Sequence, residues 1–254
     1  MSNEKKPNVI LVHGAFEDAA ALGGVVRELR MQGLDVRAPA IALRGLASDA
    51  AALANFATTL EGPIVLVGHS YGGAVMSQAA PLIPTVEALV FFSGFALDLK
   101  ESCSSVMEPF PDSLLKSAVV TSSHDASVVE AGPDLSIQID QFHRTYGADL
   151  SGETAGTMAV SQRPISVSAF QEPATVVGWR ELPSWWMLPD RDNVIHPECQ
   201  SFMAKRMNAN VELVPGGSHA AIITRPDVAA TQVLRAIGTT WGADLRRRRT
   251  GGSA

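Results

Sequence analysis

A serine at position 70 stands in the pattern Gly68-His69-Ser70-Tyr71-Gly72, which has the form G-x-S-x-G. A short apolar run precedes the pattern at 64–67 and a helical pattern follows it at 71–80, so the sequence predicts a sharp turn from strand to helix. Such a turn projects the serine hydroxyl above a sheet, where it can act as a nucleophile. The alternative is an ordinary tight turn between the two elements.

A serine hydroxyl is a poor nucleophile until a base removes its proton, and that base needs an acid that orients it. Among the six histidines, His219 follows the last predicted strand in Gly216-Gly217-Ser218-His219. A loop at that point can bring an imidazole over Ser70. His13 and His69 are interpreted as residues that support their own turns, and His219 is therefore the predicted general base.

Two carboxylates follow the predicted strand at 184–188 and are candidates for the orienting acid. Asp192 precedes Asn193-Val194-Ile195-His196-Pro197, a D-x-x-I-x-P arrangement in which the chain turns after the acid and packs an aliphatic residue beneath it. Asp190 is closer to the strand and is also placed to pair with Arg191 or to cap the turn. Asp192 is favoured, and Asp98, at the end of the preceding strand, is a third candidate.

Negative charge that develops on a substrate oxygen needs backbone donors nearby. The N–H of Tyr71, at the start of the helix after Ser70, is one candidate because a helix N-terminus carries partial positive charge. The loop His13-Gly14-Ala15-Phe16 follows the first strand and is expected beside the turn of Ser70. We predict that the Ala15 N–H is the second donor of this oxyanion hole, with Phe16 as its neighbour.

Short apolar runs rich in β-branched residues alternate with longer helical patterns from residue 8 onward, which predicts βαβ units and a parallel sheet. The sequence thus predicts an α/β fold with a mostly parallel sheet of about six strands and helices on both faces. The expected core covers 1–94 and 181–245, and a flexible basic tail is expected at 246–254.

The alternation stops at 95–180, where proline, serine, glycine and acidic residues are interspersed with aromatic and methionine side chains. We interpret this segment as an inserted cap. Phe95 and Phe142, together with Phe16, are predicted to bind an apolar substrate, although such residues also form packing cores. The segment has no cluster of arginine or lysine, which favours a neutral, moderately apolar ester or lactone.

Composition excludes several classes of protein. The chain has 254 residues, of which 46% are hydrophobic and 18% are charged, and this balance is not typical of a disordered protein. No uncharged apolar run approaches the roughly 20 residues that a bilayer span needs. The net charge is −6 although 246–249 are all arginine, so no nucleic-acid partner is expected.

The sequence also limits cofactors and partners. Cys103 and Cys199 lack metal-ligand spacing, and we expect free thiols. No metal site, P-loop or dinucleotide fingerprint is recognised, so neither metal nor cofactor is predicted. The charged N-terminus with its short apolar run lacks the form of a secretory signal, which favours the cytoplasm. A small-molecule substrate is the expected partner, and no membrane partner is expected. The sequence leaves open whether the protein forms a homodimer.

The order Ser70, Asp192, His219, with HGAF at 13–16, GHSYGG at 68–73 and DNVIHPECQSFM at 192–203, resembles the α/β-hydrolase superfamily. Within it, the chain is similar to the branch that contains plant methylesterases, hydroxynitrile lyases and bacterial esterase-like proteins. The resemblance implies the α/β-hydrolase fold with a cap and a Ser-His-Asp triad. It leaves the reaction open, because this fold hosts esterases, lactonases, lyases and other enzymes.

Three functions are therefore compared. The first is hydrolysis of a carboxylic ester through an acyl-enzyme, the second is a hydroxynitrile-lyase-like or other non-hydrolytic reaction, and the third is a ligand sensor with slow turnover. In the lyases that the chain resembles, a threonine replaces the glycine of the HG pair and a lysine follows the catalytic histidine. This chain has Gly14 and Ala220 at those positions, which favours the esterase.

Overall fold

The structure is a computed structural model that describes residues 6–123 and 132–250, with side chains described as far as residue 240. The end of the predicted basic tail, 251–254, lies outside the described residues, and so do the side chains of 246–250. Within the described ranges, no helix is long and apolar enough to cross a membrane.

Nine strands are described, and six of them form the main sheet. The strands are β1 (Asn8–Val12), β2 (Asp35–Arg37), β3 (Ile64–His69), β4 (Val86–Phe92), β5 (Val119–Ser122), β6 (Asp134–Ile137), β7 (Ile165–Ser166), β8 (Ser184–Pro189) and β9 (Asn210–Val214). The main sheet has the order β2-β1-β3-β4-β8-β9 with every neighbouring pair parallel. The strand order reverses between β1 and β3, and ligands of such sheets bind at the carboxyl ends of the strands near that point.

Helices cover both faces of the main sheet. The α-helices described in the structure are α1 (Gly23–Met31), α2 (Leu46–Ala57), α3 (Tyr71–Ala79), α4 (Cys103–Met107), α5 (Leu115–Ala118), α6 (Ile139–Tyr146), α7 (Gly152–Ser161), α8 (Val167–Gln171), α9 (Pro197–Arg206), α10 (Ala221–Thr224) and α11 (Pro226–Thr250). Strand β1 shows why two helical layers are needed. Ile10 and Val12 belong to the hydrophobic cluster on one face, whereas Val9 and Leu11 belong to the cluster on the other. The predicted α/β-hydrolase fold, with about six mainly parallel strands between helices, is confirmed.

Helix α2 begins earlier than the sequence indicated. The alanine-rich pattern at 48–60, which opens on Ser48, predicts a helix over those residues with Ser48 as a possible cap, whereas in the structure Gly45 is the N-cap and Ser48 lies inside the helix. The first turn is instead capped from a distance, because the Glu172 carboxylate accepts the N–H of Leu46 at 2.5 Å. A local pattern cannot show a capping group that is more than a hundred residues away in the chain.

The segment between β4 and β8 adds strands that do not belong to the main sheet. Its strands make a small antiparallel sheet in the order β5-β6-β7. Several backbone hydrogen bonds attach the segment to the core; for example, Phe16 N–H donates to Arg163 O at 2.9 Å and Ser166 N–H donates to Leu43 O at 3.0 Å. The interpretation of 95–180 as a cap that governs specificity stays a prediction.

Candidate active site

Ser70 lies on the predicted turn between β3 and α3, with φ 53° and ψ −125°. A positive φ at a residue other than glycine is strained and is typical of functional turns. The flanking glycines make the turn possible. A Cβ at Gly68 would lie 2.6 Å from Gly72 O, and a Cβ at Gly72 would overlap the carbonyl oxygen of Val12. The small residues of the G-x-S-x-G pattern are therefore required by backbone contact.

His219 is held by a carboxylate. Its Nδ1 lies 2.7 Å from Asp192 Oδ2, and both side chains are fully buried. The other oxygen, Asp192 Oδ1, accepts the N–H groups of Val194 at 2.7 Å and Ile195 at 2.9 Å. These donors come from the D-x-x-I turn that the sequence singled out, and they orient the carboxylate toward the imidazole. The Nε2 of His219 is left buried without a hydrogen-bond partner among the described residues.

The serine and the histidine are not hydrogen-bonded to each other in the described structure. Such bonds in enzymes without substrate are often long and close when substrate binds. Ser70 is only 4% exposed and His219 is fully buried, so neither side chain is open to solvent in this structure.

The other two acid candidates have different partners. Asp190 Oδ1 accepts Gly216 N–H at 2.6 Å and so links the loop after β8 to the loop after β9. Asp98 Oδ1 accepts from Arg180 Nη2 at 2.6 Å. Of the three candidate carboxylates, Asp192 is the one that contacts His219 in the described part of the chain.

The predicted oxyanion donors lie on the loop after β1 and at the start of α3. Tyr71 is the first residue of its helix, so its N–H has no acceptor one turn earlier. The Ala15 N–H has no hydrogen-bond acceptor among the residues described. Its neighbour Phe16 donates its N–H to Arg163 O, so this N–H is not available to an oxyanion. The loop approaches Ser70 closely, since a Cβ on Gly14 would lie 2.6 Å from Ser70 Cβ.

The three aromatic residues that were predicted to bind substrate are all buried. Phe95 N–H donates to Ser70 O at 3.0 Å, and its ring meets Phe170 edge-on at 6.2 Å. Phe142 stacks on Tyr146 at 4.9 Å, and Tyr146 in turn meets the His219 ring at 5.1 Å. Phe142 thus lies behind Tyr146 relative to His219, as a packing residue would. Contact of these side chains with substrate stays a prediction.

The loops that carry Asp192 and His219 are held by the end of α6. Ala220 N–H donates to Tyr146 O at 3.1 Å, and Asn193 Nδ2 donates to Arg144 O at 2.9 Å. The Ser218 hydroxyl donates to the carboxylate of Asp149. The segment between β4 and β8 therefore contacts both loops directly.

Glu17 is a buried site residue that sequence reasoning missed. Its Oε1 accepts Gly14 N–H at 2.8 Å and lies 2.6 Å from His69 Nδ1. The other ring nitrogen, His69 Nε2, lies 3.0 Å from the backbone oxygen of His219. An acidic residue directly after HGAF was the available signal, but nothing local marks it as buried. His69, which was interpreted as a support for its own turn, also supports the His219 loop.

The charges of Glu17 and His69 stabilise each other. Burial alone raises the pKa of Glu17, but His69 and the Gly14 N–H outweigh it and hold that pKa below its usual value. Burial alone lowers the pKa of His69, but the Glu17 carboxylate outweighs it and raises that pKa. Both shifts favour the ionised form of the pair.

A cavity of about 390 Å³ lies between α4, α5, α8 and α9. Met107, Phe110, Leu115 and Phe170 are among its lining residues, whereas Ser70, Asp192 and His219 are not. No group of three or more histidine, cysteine or acidic side chains suited to a metal ion occurs in the described ranges. Cys103 and Cys199 are both buried free thiols.

Known proteins share this arrangement of strands. A sequence model of the alpha/beta hydrolase family matches residues 9–232. The chain belongs to the alpha/beta hydrolase family. This hydrolase is 25% identical over 256 residues to the alpha/beta hydrolase nvfD of Aspergillus novofumigatus, with 92% of this chain and 97% of that protein covered.

Two further similarities are informative. The hydrolase is 27% identical over 262 residues to Methylesterase 2 of Arabidopsis thaliana, with 92% of this chain and 97% of that protein covered. The crystal structure of polyneuridine aldehyde esterase superposes with a TM-score of 0.77 at 16% identity, covering 91% of this hydrolase and 99% of that chain. The structural likeness extends over the whole fold.

Proposed function

We propose that this hydrolase cleaves a neutral, moderately apolar carboxylic ester or lactone through an acyl-enzyme. Ser70 is the nucleophile, His219 the general base and Asp192 the acid that orients it. The observation that carries the proposal is the geometry of His219: its Nδ1 contacts the buried Asp192 carboxylate, and its Nε2 has no partner among the described residues. That nitrogen is free to accept a proton.

The proposed reaction has two halves. His219 Nε2 takes the proton of the Ser70 hydroxyl while Oγ attacks the carbonyl carbon, and the carbonyl oxygen becomes an oxyanion held by the N–H groups of Ala15 and Tyr71. The intermediate collapses, and the leaving alkoxide takes the proton from His219. Water then attacks the acyl group on Ser70 with His219 again as base, which releases the acid and restores the serine.

Asp192 orients the base. It holds the Nδ1–H tautomer of His219, so that Nε2 is the proton acceptor, and it stabilises the imidazolium that forms. Its bonds from Val194 and Ile195 hold the carboxylate in place for this role.

Two observations favour ester cleavage over the lyase reaction. Gly14 packs so closely on Ser70 that a threonine there would displace the serine. Ala220 is fully buried, so a lysine in its place would carry its charge into the interior beside His219. The names of the relatives, a methylesterase and an esterase, support the same reaction class.

The proposed function is tested with a fluorophosphonate probe and a panel of p-nitrophenyl esters. The wild type is expected to be labelled rapidly and to turn over short esters, whereas Ser70→Ala does neither while it remains folded. Turnover by Ser70→Ala at even a tenth of the wild-type rate would exclude Ser70 as nucleophile. Labelling without turnover would favour the sensor, and Ser70-dependent release of cyanide from mandelonitrile would favour the lyase.

A further inference from the structure

Glu17 is the centre of a buried polar network that the triad and the oxyanion hole do not include. Its carboxylate joins residues far apart in the chain, because Oε1 contacts both Gly14 N–H and His69 Nδ1. His69 extends the network to the backbone oxygen of His219. Each of these groups adjoins or belongs to a residue of the proposed mechanism: Gly14 precedes Ala15, and His69 precedes Ser70.

The geometry determines the protonation of His69. A neutral imidazole carries one N–H, and its other nitrogen is an acceptor. Both ring nitrogens of His69 face acceptors, a carboxylate oxygen at 2.6 Å and a carbonyl oxygen at 3.0 Å. Both contacts are hydrogen bonds when the ring is an imidazolium that donates twice. The fully buried carboxylate of Glu17 supplies the balancing charge.

We propose that Glu17 is a positioning residue, which keeps His69 as an imidazolium over the working pH range and so fixes three loops around the reacting groups. The three loops are the turn at Gly14, the turn at Ser70 and the loop that carries His219. The proposal rests on the proposed function, since the roles of Ala15, Ser70 and His219 come from it. Glu17 itself contacts none of the reacting atoms.

The other charged or titratable groups around His69 fit this assignment. The His219 ring lies 4.8 Å away and the Tyr146 ring meets His69 edge-on at 6.4 Å. The Asp192 carboxylate, like that of Glu17, raises the pKa of His69. His13, like His69, lowers the pKa of Glu17. Burial, Glu17 and Asp192 raise the pKa of Tyr146, which therefore stays neutral.

We expect replacement of Glu17 by glutamine to cause a specific defect in the buried hydrogen bonds around His69. Without the carboxylate, burial makes His69 neutral, and its remaining proton stays on Nε2 to satisfy His219 O. The bare Nδ1 then faces the amide of residue 17. If the amide oxygen takes the place of Oε1, it accepts Gly14 N–H, but Nδ1 has no donor. If the amide is flipped, its NH₂ donates to Nδ1 but lies against the N–H of Gly14. Either orientation loses one of the three buried hydrogen bonds.

The kinetic test compares Glu17→Gln with wild type across pH. We expect kcat for a p-nitrophenyl ester at pH 8 to fall about tenfold, as for one lost buried hydrogen bond, with KM unchanged. The acidic limb of kcat/KM moves to higher pH, because His69 lies between Glu17 and His219 and loss of its positive charge makes His219 easier to protonate. The matched control is Glu181→Gln, the same change at an exposed carboxylate, which leaves both quantities unchanged.

A spectroscopic readout is independent of activity. Imidazole ¹⁵N spectra of the wild type, with His69 assigned through His69→Asn, should show both ring nitrogens of His69 protonated at pH 8, above the ordinary histidine range. A single protonated nitrogen at pH 8 would overturn the proposal, as would unchanged kcat and an unmoved acidic limb in Glu17→Gln. The spectrum decides the matter even if Glu17→Gln does not fold or the wild type lacks esterase activity, and the latter result would count against the proposed function alone.

Discussion

Gln200 Nε2 lies 2.7 Å from Asp192 Oδ2, the same oxygen that contacts His219. The amide nitrogen also donates to Ile195 O at 2.9 Å, and Trp186 Nε1 lies 3.4 Å from Gln200 Oε1. All of these groups are buried. Helix α9 thus supplies a donor to the carboxylate oxygen that also contacts the imidazole.

Replacement of Gln200 by leucine should therefore impair the orientation of Asp192. We expect kcat to fall about tenfold with little change in KM, the equivalent of one lost hydrogen bond to a charged group. Gln232→Leu is the matched control: it is also a buried glutamine, but it lies on α11, and its Oε1 has no hydrogen-bond partner among the described residues. Steady-state kinetics of both variants decide the point, and full activity of Gln200→Leu would show that Asp192 needs no such support.

Asp192→Asn and Asp190→Asn should differ strongly. The amide at 192 supports the wrong imidazole tautomer, and we expect a loss of about 10⁴-fold in kcat. At 190 the amide oxygen still accepts Gly216 N–H, so the loss should be small. Parallel assays with one p-nitrophenyl ester test this difference. A reversed order of the two variants would transfer the orienting role to Asp190.

Gly14→Ala should displace the serine, because a Cβ at this position would lie 2.6 Å from Ser70 Cβ and 3.2 Å from its Oγ. A shift of about 1 Å in a reacting group costs about 10²-fold in rate, and we expect a loss of that size. Gly23→Ala is the control, since a Cβ there meets nothing within 4 Å. Probe labelling rates of the two variants measure the effect, and wild-type labelling of Gly14→Ala would contradict the proposed close packing.

The buried pair Glu17 and His69 also predicts how stability varies with pH. The lowered pKa of Glu17 stabilises the fold above its ordinary value of 4.5, and this is lost as pH falls through the lowered pKa. The raised pKa of His69 stabilises the fold below its ordinary value of 6.5, and this is lost as pH rises through the raised pKa. Both contributions to the stability of the fold are therefore fully present between pH 4.5 and pH 6.5.

Urea unfolding should therefore show the largest stability difference between wild type and Glu17→Gln in that interval. The difference should decrease at pH 3 and at pH 9. Glu181→Gln, at an exposed carboxylate, provides the baseline. A difference that stays constant from pH 3 to 9 would mean that the pair is not ionised in the folded protein.

The sequence by itself predicted the strands of the main sheet but not β5, β6 and β7, and it also predicted the turn at Ser70 and the preference for Asp192. These signals are local. Strand periodicity depends on neighbours two residues apart, and Gly68 and Gly72 were expected because a sharp turn admits no larger side chain. The D-x-x-I spacing indicated Asp192 because the donors that orient its carboxylate are the next residues of the same turn.

The tertiary structure decided what depends on distant partners. Glu17 reads as an ordinary polar loop residue, and its burial follows from His69, which lies 52 positions away. Helix α2 starts where Glu172 caps it, and Gln200 reaches Asp192 only after α9 packs beside β8. A buried charge is stable only when a partner of opposite charge or a hydrogen-bonding group lies beside it. The local sequence does not show which distant residues come into contact. Local geometry could therefore be predicted from the sequence, whereas the hydrogen-bond network of Glu17 and His69 that connects the loops could not.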